Sequence, residues 1–296
     1  LHDALPIYIG YPRVPALTLT LAGNLTVQSG GEITVQRMGY YTQCGPGRTT
    51  GNRASSHGGE GGSSDGTGSN LTYGSVLYPN TVGSGGAWGN QNFSPGGGRM
   101  RLTVTGALQL DGTLDARPDT NYQEKAAGGS IWLTAGTISG TGQVLACGRD
   151  GNPGGGGGRI AVYLTQGESI GSVLLDARGG IHTNSPGAAG TVYLEPASKS
   201  GGRGRLIIWN SGRDSSARAV TPLPPTGGDL ISDLPPVYGS FTDNLSRVTL
   251  DIQAGGRVRL STHTNVADLV IATNGYLHTQ GYKLYVSAAE HHLNDP

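Results

Sequence analysis

The chain has 296 residues, 53 of them Gly and 16 Pro, and its 20 basic and 20 acidic side chains cancel. Gly at more than twice its usual share of about 7%, with charged residues at only 14%, excludes a strongly basic nucleic-acid binder, a polybasic membrane module and charge-driven disorder. Apolar residues make up 35%, so the core is expected to be thin and repetitive rather than that of one compact globule, and no apolar run approaches the roughly 18 residues of a membrane span.

In chain order, residues 1–7 (Leu1-His2-Asp3-Ala4-Leu5-Pro6-Ile7) resemble a translated sequencing adaptor and are left out of the fold reading as an assembly artefact. The N-terminal Leu in place of Met leads us to expect a piece of a longer chain, continuous with further domains. Residues 8–219 read as a Gly-rich repeat region. Within it, Leu25-Thr26-Val27-Gln28-Ser29-Gly30-Gly31-Glu32-Ile33-Thr34-Val35 reads strand, Gly turn, strand. Residues 45–99 form a long Gly/Ser-rich loop region. Four Gly-led alternating segments follow, with first apolar residues Met100, Ile131, Ile160 and Val192. A second strand recurs inside each unit: Thr113-Leu114-Asp115-Ala116-Arg117 aligns with Val144-Leu145-Ala146-Cys147-Gly148 and with Leu174-Leu175-Asp176-Ala177-Arg178. This predicts inward ladders Leu114–Leu145–Leu175 and Ala116–Cys147–Ala177. Residues 220–244, with Pro222, Pro224, Pro225, Pro235 and Pro236, read as a linker or excursion, because Pro cannot donate to a ladder. In 245–296 the short repeat returns: Leu250–Leu260 has the pattern of Leu25–Val35, and Leu269–Leu277 repeats it with Asn274-Gly275 at the corner.

Short strands at a fixed period suit an antiparallel sandwich or barrel, or a parallel β-helix. Like residues at equivalent positions favour the second: an all-β, single-stranded parallel β-helix with long Gly-rich loops. Right-handedness is expected from the crossover preference.

The segments Tyr73-Gly74-Ser75 with Pro79 and Gly83-Ser84-Gly85-Gly86, Gly129-Ser130-Ile131-Trp132-Leu133-Thr134-Ala135-Gly136, Gly154–Gly158 before Arg159-Ile160-Ala161-Val162-Tyr163, Gly190-Thr191-Val192-Tyr193-Leu194, Asn274-Gly275-Tyr276-Leu277 and Gly281-Tyr282-Lys283-Leu284-Tyr285-Val286 carry a resemblance. It is to the Gly-rich β-helical regions of large bacterial secreted and cell-surface, adhesin-like proteins, and it covers most of 16–290. It implies a right-handed parallel β-helix, export to the cell surface or beyond, and a structural or adhesive role. It implies no defined reaction.

The chemistry-bearing residues are sparse. Gly62-Ser63-Ser64-Asp65-Gly66 and Gly167-Glu168-Ser169-Ile170-Gly171 match the Gly-x-Ser-x-Gly pattern, but neither follows a strand and opens a helix, as a nucleophile elbow must. Asp115 and Asp176 sit at equivalent positions two repeats apart, about 10 Å, slightly beyond the roughly 6.5–9.5 Å of inverting glycosidases. With Arg117 and Arg178 on the same face they read either as an exposed Asp/Arg ladder or as an acidic cleft for polysaccharide hydrolysis or lysis. Only three Lys (Lys125, Lys199, Lys283) occur, which weakens a lyase. Asp111, Asp115, Asp119 and Asp150 read as turn residues, or as ligands of a weak extracellular calcium site. No His/Cys spacing suits zinc, and His291-His292 reads as a frayed end. Cys147 reads as a small ladder residue, with a Cys44–Cys147 disulfide left open. Tyr40, Tyr41, Tyr73, Tyr78 and Trp88 either pin the Gly-rich loop to the body or stack on sugars or a partner protein. The sequons at Asn24, Asn70, Asn92 and Asn244 matter only in a eukaryotic secretory setting.

The expectation is therefore a structural or adhesive extracellular segment without catalysis, with no catalytic, cofactor or metal residue assigned. Its expected partners are glycans or a host or neighbouring cell surface, and not nucleic acid. The alternatives are a β-helical polysaccharide lyase or glycoside hydrolase using Asp115/Asp176 with Arg117/Arg178, and a non-catalytic carbohydrate-binding module.

Overall fold

The computed structural model describes residues 17–48, 53–64, 71–86, 94–118, 125–211, 219–226 and 243–287. It is all-β, mostly parallel, with no closed barrel. Among the described residues the only helical piece is a 3₁₀ turn at Ala197–Lys199. The main sheet runs β1 (Leu17–Leu21), β4 (Arg99–Leu110), β6 (Ser130–Ser139), β8 (Arg159–Leu164), β10 (Thr191–Glu195), β11 (Arg205–Ile208), β13 (Thr249–Ile252), β16 (Asp268–Ile271), with β2 (Leu25–Val27) also on β4. A second sheet stacks β3 (Glu32–Thr34), β5 (Thr113–Asp115), β7 (Gln143–Leu145) and β9 (Leu174–Asp176). Downstream lie β12 (Thr221–Leu223), β14 (Arg257–Leu260) and β17 (Tyr276–His278), and the pair β15 (Thr264–Val266) with β18 (Leu284–Val286).

The predicted periodicity sets the main-sheet register. Met100 pairs with Ile131, Ile131 with Ile160 and Ile160 with Val192. These residues, with Leu102, Leu133 and Val162, form a narrow buried column, each contributing about 1.5–3 kcal/mol by leaving water. The 19-residue step also holds, with Leu250 against Leu269 and Val258 against Leu277.

In the second sheet the expected alignment is wrong by one residue in its middle unit. Leu114 pairs with Val144, not Leu145, and Val144 with Leu175. The buried small residues are Ala116, Ala146 and Ala177, and Cys147 takes the position of the arginines. The corners explain the shift. A Cβ on Gly112 would lie 2.2 Å from the Gly31 carbonyl, and one on Gly142 2.3 Å from that of Gly112. These glycines must stack on one another, and because strand side chains alternate, a slip of one would turn Val144 and Ala146 out of the core.

The β10–β11 pair is antiparallel, unlike every other named strand pair among the described residues. Up to β10 the column lies on one face of the main sheet. From β11 on, Leu206, Ile208, Leu250 and Ile252 form a second core on the other face, reached also by Tyr193. The connection is clasped by Glu195, 7% exposed, which accepts the N–H groups of Gly201 (3.1 Å) and Gly202 (2.9 Å) and the Tyr193 hydroxyl (2.5 Å). Glu195→Ala is expected to destabilise the fold by about 1–3 kcal/mol, because it strands the buried Tyr193 hydroxyl and unties the two glycine N–H groups from the connection. A urea midpoint equal to the parent's would refute the clasp.

The Pro-rich stretch 220–244 is not wholly outside the sheets. It supplies β12, a sheet-edge strand holding Pro222; an edge is where a residue without an N–H can sit.

The described parts of 45–99 are mostly buried, not a surface loop. Extended Gly-rich segments pack backbone against backbone: Gly83 N–H donates to Gly97, Gly97 to Ala127, Gly128 to Gly156, Gly156 to Ser55 and Gly157 to Ala188, all at 2.8–3.1 Å.

Candidate functional site: an arginine-lined groove

Asp115 and Asp176 follow the inward residues Leu114 and Leu175 and therefore point away from the core. They are nevertheless buried, at 1% and 2% exposure, because Arg117 and Arg178 lie over them. This corrects the expectation of an exposed ladder. Arg117 donates Nε (3.0 Å to each oxygen), Nη2 (2.6 Å) and its backbone N–H (2.8 Å) to Asp115. Arg178 grips Asp176 the same way, at 2.8 and 2.9 Å from Nε, 2.5 Å from Nη2 and 3.0 Å from the backbone. Burial pushes the Asp176 carboxyl up, but the hydrogen bonds and charge of Arg178 outweigh it and hold the group below its ordinary value. The hydrogen bond to Asp115 raises Arg117 in turn, and that to Asp176 raises Arg178.

Leu145 stands in register between the two carboxylates, and Cys147 follows it between the two arginines. The Cys147 thiol donates to the Asp176 carbonyl at 3.4 Å. Burial, then the charge of Asp176, raises it far above the ordinary thiol value, which favours the protonated thiol. The surface here is a groove of about 270 Å³ between Arg117 and Arg178, with Arg149 and Asp150 on its wall. The Trp209 ring lies 4.9 Å from the Arg178 guanidinium. Chemically the groove offers oriented cations. Its carboxylates are engaged, so the pair expected for general acid/base chemistry is not brought together as a free pair.

The other predicted residues go elsewhere. Tyr40 and Tyr73 are buried, and the Tyr73 hydroxyl donates to the Val82 carbonyl at 2.8 Å. Tyr78 stacks 6.2 Å from Tyr163 and lies tilted 5.6 Å from Trp132. Tyr40 and Tyr73 sit inside the Gly-rich segments, whereas Tyr78, Trp132 and Tyr163 form a half-buried aromatic cluster; Tyr41 is half-buried, and Trp88 lies outside the described residues. Asp111 accepts from Gln109 and Thr141, Asp150 from the Ile181 N–H, and Asp119 lies outside. Among the described residues no three His, Cys, Asp or Glu gather as a metal site. Cys44 and Cys147 are not joined. Ser169 Oγ accepts the Gly171 N–H in a local turn, while Asp65 and Gly66 of the other Ser motif lie outside. Asn24 and Asn244 bind backbone N–H groups; Asn70, Asn92, His291-His292 and residues 1–7 lie outside.

Sequence reasoning missed a buried polar centre. Arg159, fully buried, donates Nε to the Tyr73 carbonyl and Nη1 to Thr191 Oγ1, both at 3.0 Å, beside His57 and Tyr73, whose rings lie 4.7 Å apart. Its position directly after Gly157-Gly158, where Ser130 and Thr191 also stand, was the available signal.

Comparison with family models, curated proteins and solved structures finds no match.

Proposed function

We propose that the chain is a segment of a secreted or surface-attached bacterial protein, built as a right-handed parallel β-helix and serving a structural or adhesive role without catalysis. The right hand rests on the general crossover preference and on the resemblance to adhesin-like regions. At β10–β11 strand direction and core face both reverse, two changes that cancel, so one hand suits both stacks. The observation that carries the functional reading is that Asp115 and Asp176, the best candidates for catalysis, are each buried beneath an arginine. That neutralises each carboxylate within its own segment and leaves neither of the two as a free acid or base.

The test has two arms. Cells displaying the full chain should attach to glycan-coated surfaces better than cells carrying an empty anchor. The purified chain, incubated with polygalacturonate, alginate and xylan, should release neither reducing ends nor unsaturated uronates. Turnover in the second arm would replace this reading by the enzyme reading, and loss of attachment on every glycan tested would remove the adhesive one.

A further inference from the structure

The groove over β5, β7 and β9 combines two features that a bare structural clip does not need. First, each guanidinium uses Nε and Nη2 on its own carboxylate, and the Nη1 groups of Arg117 and Arg178 make no hydrogen bond within the described residues. Second, each ion pair is a dipole with its negative end buried and its positive end exposed. The side chains of Asp115 and Asp176 are 1% and 3% accessible, those of Arg117 and Arg178 34% and 23%. An anion approaching either ion pair meets its cation first, although the exposed Asp150 carboxylate also lines the groove and the chain as a whole is neutral. The guanidiniums are also pre-ordered by their buried partners, so little rotamer entropy remains to be lost on binding.

We propose that this groove binds an acidic glycan, with one carboxylate on Arg117 and another on Arg178. The two arginines stand two strand spacings apart, about 10 Å. Between and beside them are the exposed apolar surface of Leu174 and the Gln143 amide, while the Asp150 carboxylate on the wall already accepts the Ile181 N–H. Such a floor suits the C–H faces and hydroxyls of sugar rings that separate acidic groups. A nucleic acid, with phosphates in dense succession, asks for a longer basic surface than this. The proposal rests on the adhesive reading above and gives it a ligand class.

The probe is hexagalacturonate, titrated into the full chain by calorimetry at low salt. Saturable binding is expected. Arg117→Gln with Arg178→Gln should weaken it at least tenfold. Arg205→Gln, which removes an equal charge from another ion pair, with buried Asp251, outside the groove, should change it less than twofold. Because the double variant leaves two carboxylates buried and unpaired and could unfold, Leu174→Glu serves as the second variant. It places a negative charge at an exposed groove position without touching either ion pair, and should also weaken binding at least tenfold. No saturable binding, or equal binding by Leu174→Glu and the parent, overturns the site. Equal binding of polyglutamate overturns the glycan assignment. If hexagalacturonate fails while displayed cells still attach to other glycans, the groove proposal falls and the adhesive reading stands.

Discussion

Gly157→Ala is expected to destabilise the fold by about 3 kcal/mol or more, whereas Gly23→Ala should change it by less than about 0.5 kcal/mol. The two glycines differ in what surrounds them. A Cβ on Gly157 would sit 2.0 Å from the Ala177 carbonyl oxygen and 2.4 Å from the Gly190 nitrogen. Both atoms are backbone, and they are hydrogen-bonded to each other at 2.7 Å, so neither can swing away as a side chain would. Gly157 itself donates to Ala188 and accepts from Gly58 and Gly59, so a shift of its own backbone would break contacts on the opposite side. Gly23 has nothing within 4 Å. Urea midpoints of the two variants decide the matter. A Gly157→Ala midpoint close to the parent's would mean that the Gly-rich segments are loosely apposed and not a packed layer.

That layer also marks the limit of what the sequence could reveal. Alternation located the strands of 99–195, and the 19-residue step located β13, β14, β16 and β17, because apolar side chains record a buried face at every second residue. Glycine carries no such record. Segments such as Gly154–Gly158 therefore read as loops, although they are buried and hydrogen-bonded across the chain.

Strand direction was illegible for a related reason: the side-chain period of two is the same in parallel and antiparallel sheets. The reversal at β10–β11 did leave one trace. The connection Pro196–Gly204 is shorter than the dozen or more residues that a parallel crossover usually needs. The groove was half legible. Asp-Ala-Arg at 115–117 and 176–178 placed each pair on one face, as found. The one-residue misalignment at Leu145 hid that Cys147 stands between the arginines, and no pattern showed that the carboxylates would be covered by their own neighbours.

Acidification from pH 7 to pH 5 is expected to cost about 2 kcal/mol of stability through His57 alone. His57 is fully buried. Its Nδ1 lies 2.7 Å from the Gly128 carbonyl, which can only accept, so Nδ1 carries the proton and Nε2 accepts from Thr81 Oγ1 at 2.8 Å. A second proton would let Nε2–H donate to that hydroxyl but would place a buried cation beside Arg159. Burial first, then the charge of Arg159, lowers the His57 pKa to about 3, against a smaller upward pull from the Gly128 and Gly129 carbonyls. A histidine depressed on folding stabilises fully above its unfolded value of about 6.5. That contribution is lost as the pH falls from there toward 3, at about 1.4 kcal/mol per unit. Nearby Asp243 acts in the opposite sense. Burial raises its pKa despite hydrogen bonds from Ser75, Val76 and Leu77, so its charge weakens the fold as pH rises through that value. The histidine part is therefore isolated by difference: His57→Gln, which keeps a donor and an acceptor but does not titrate, should show about 2 kcal/mol less stability loss between pH 7 and pH 5 than the parent. Parallel pH curves for the two proteins would show that folding does not depress His57, and that the Gly-rich layer is open enough around it to admit the proton.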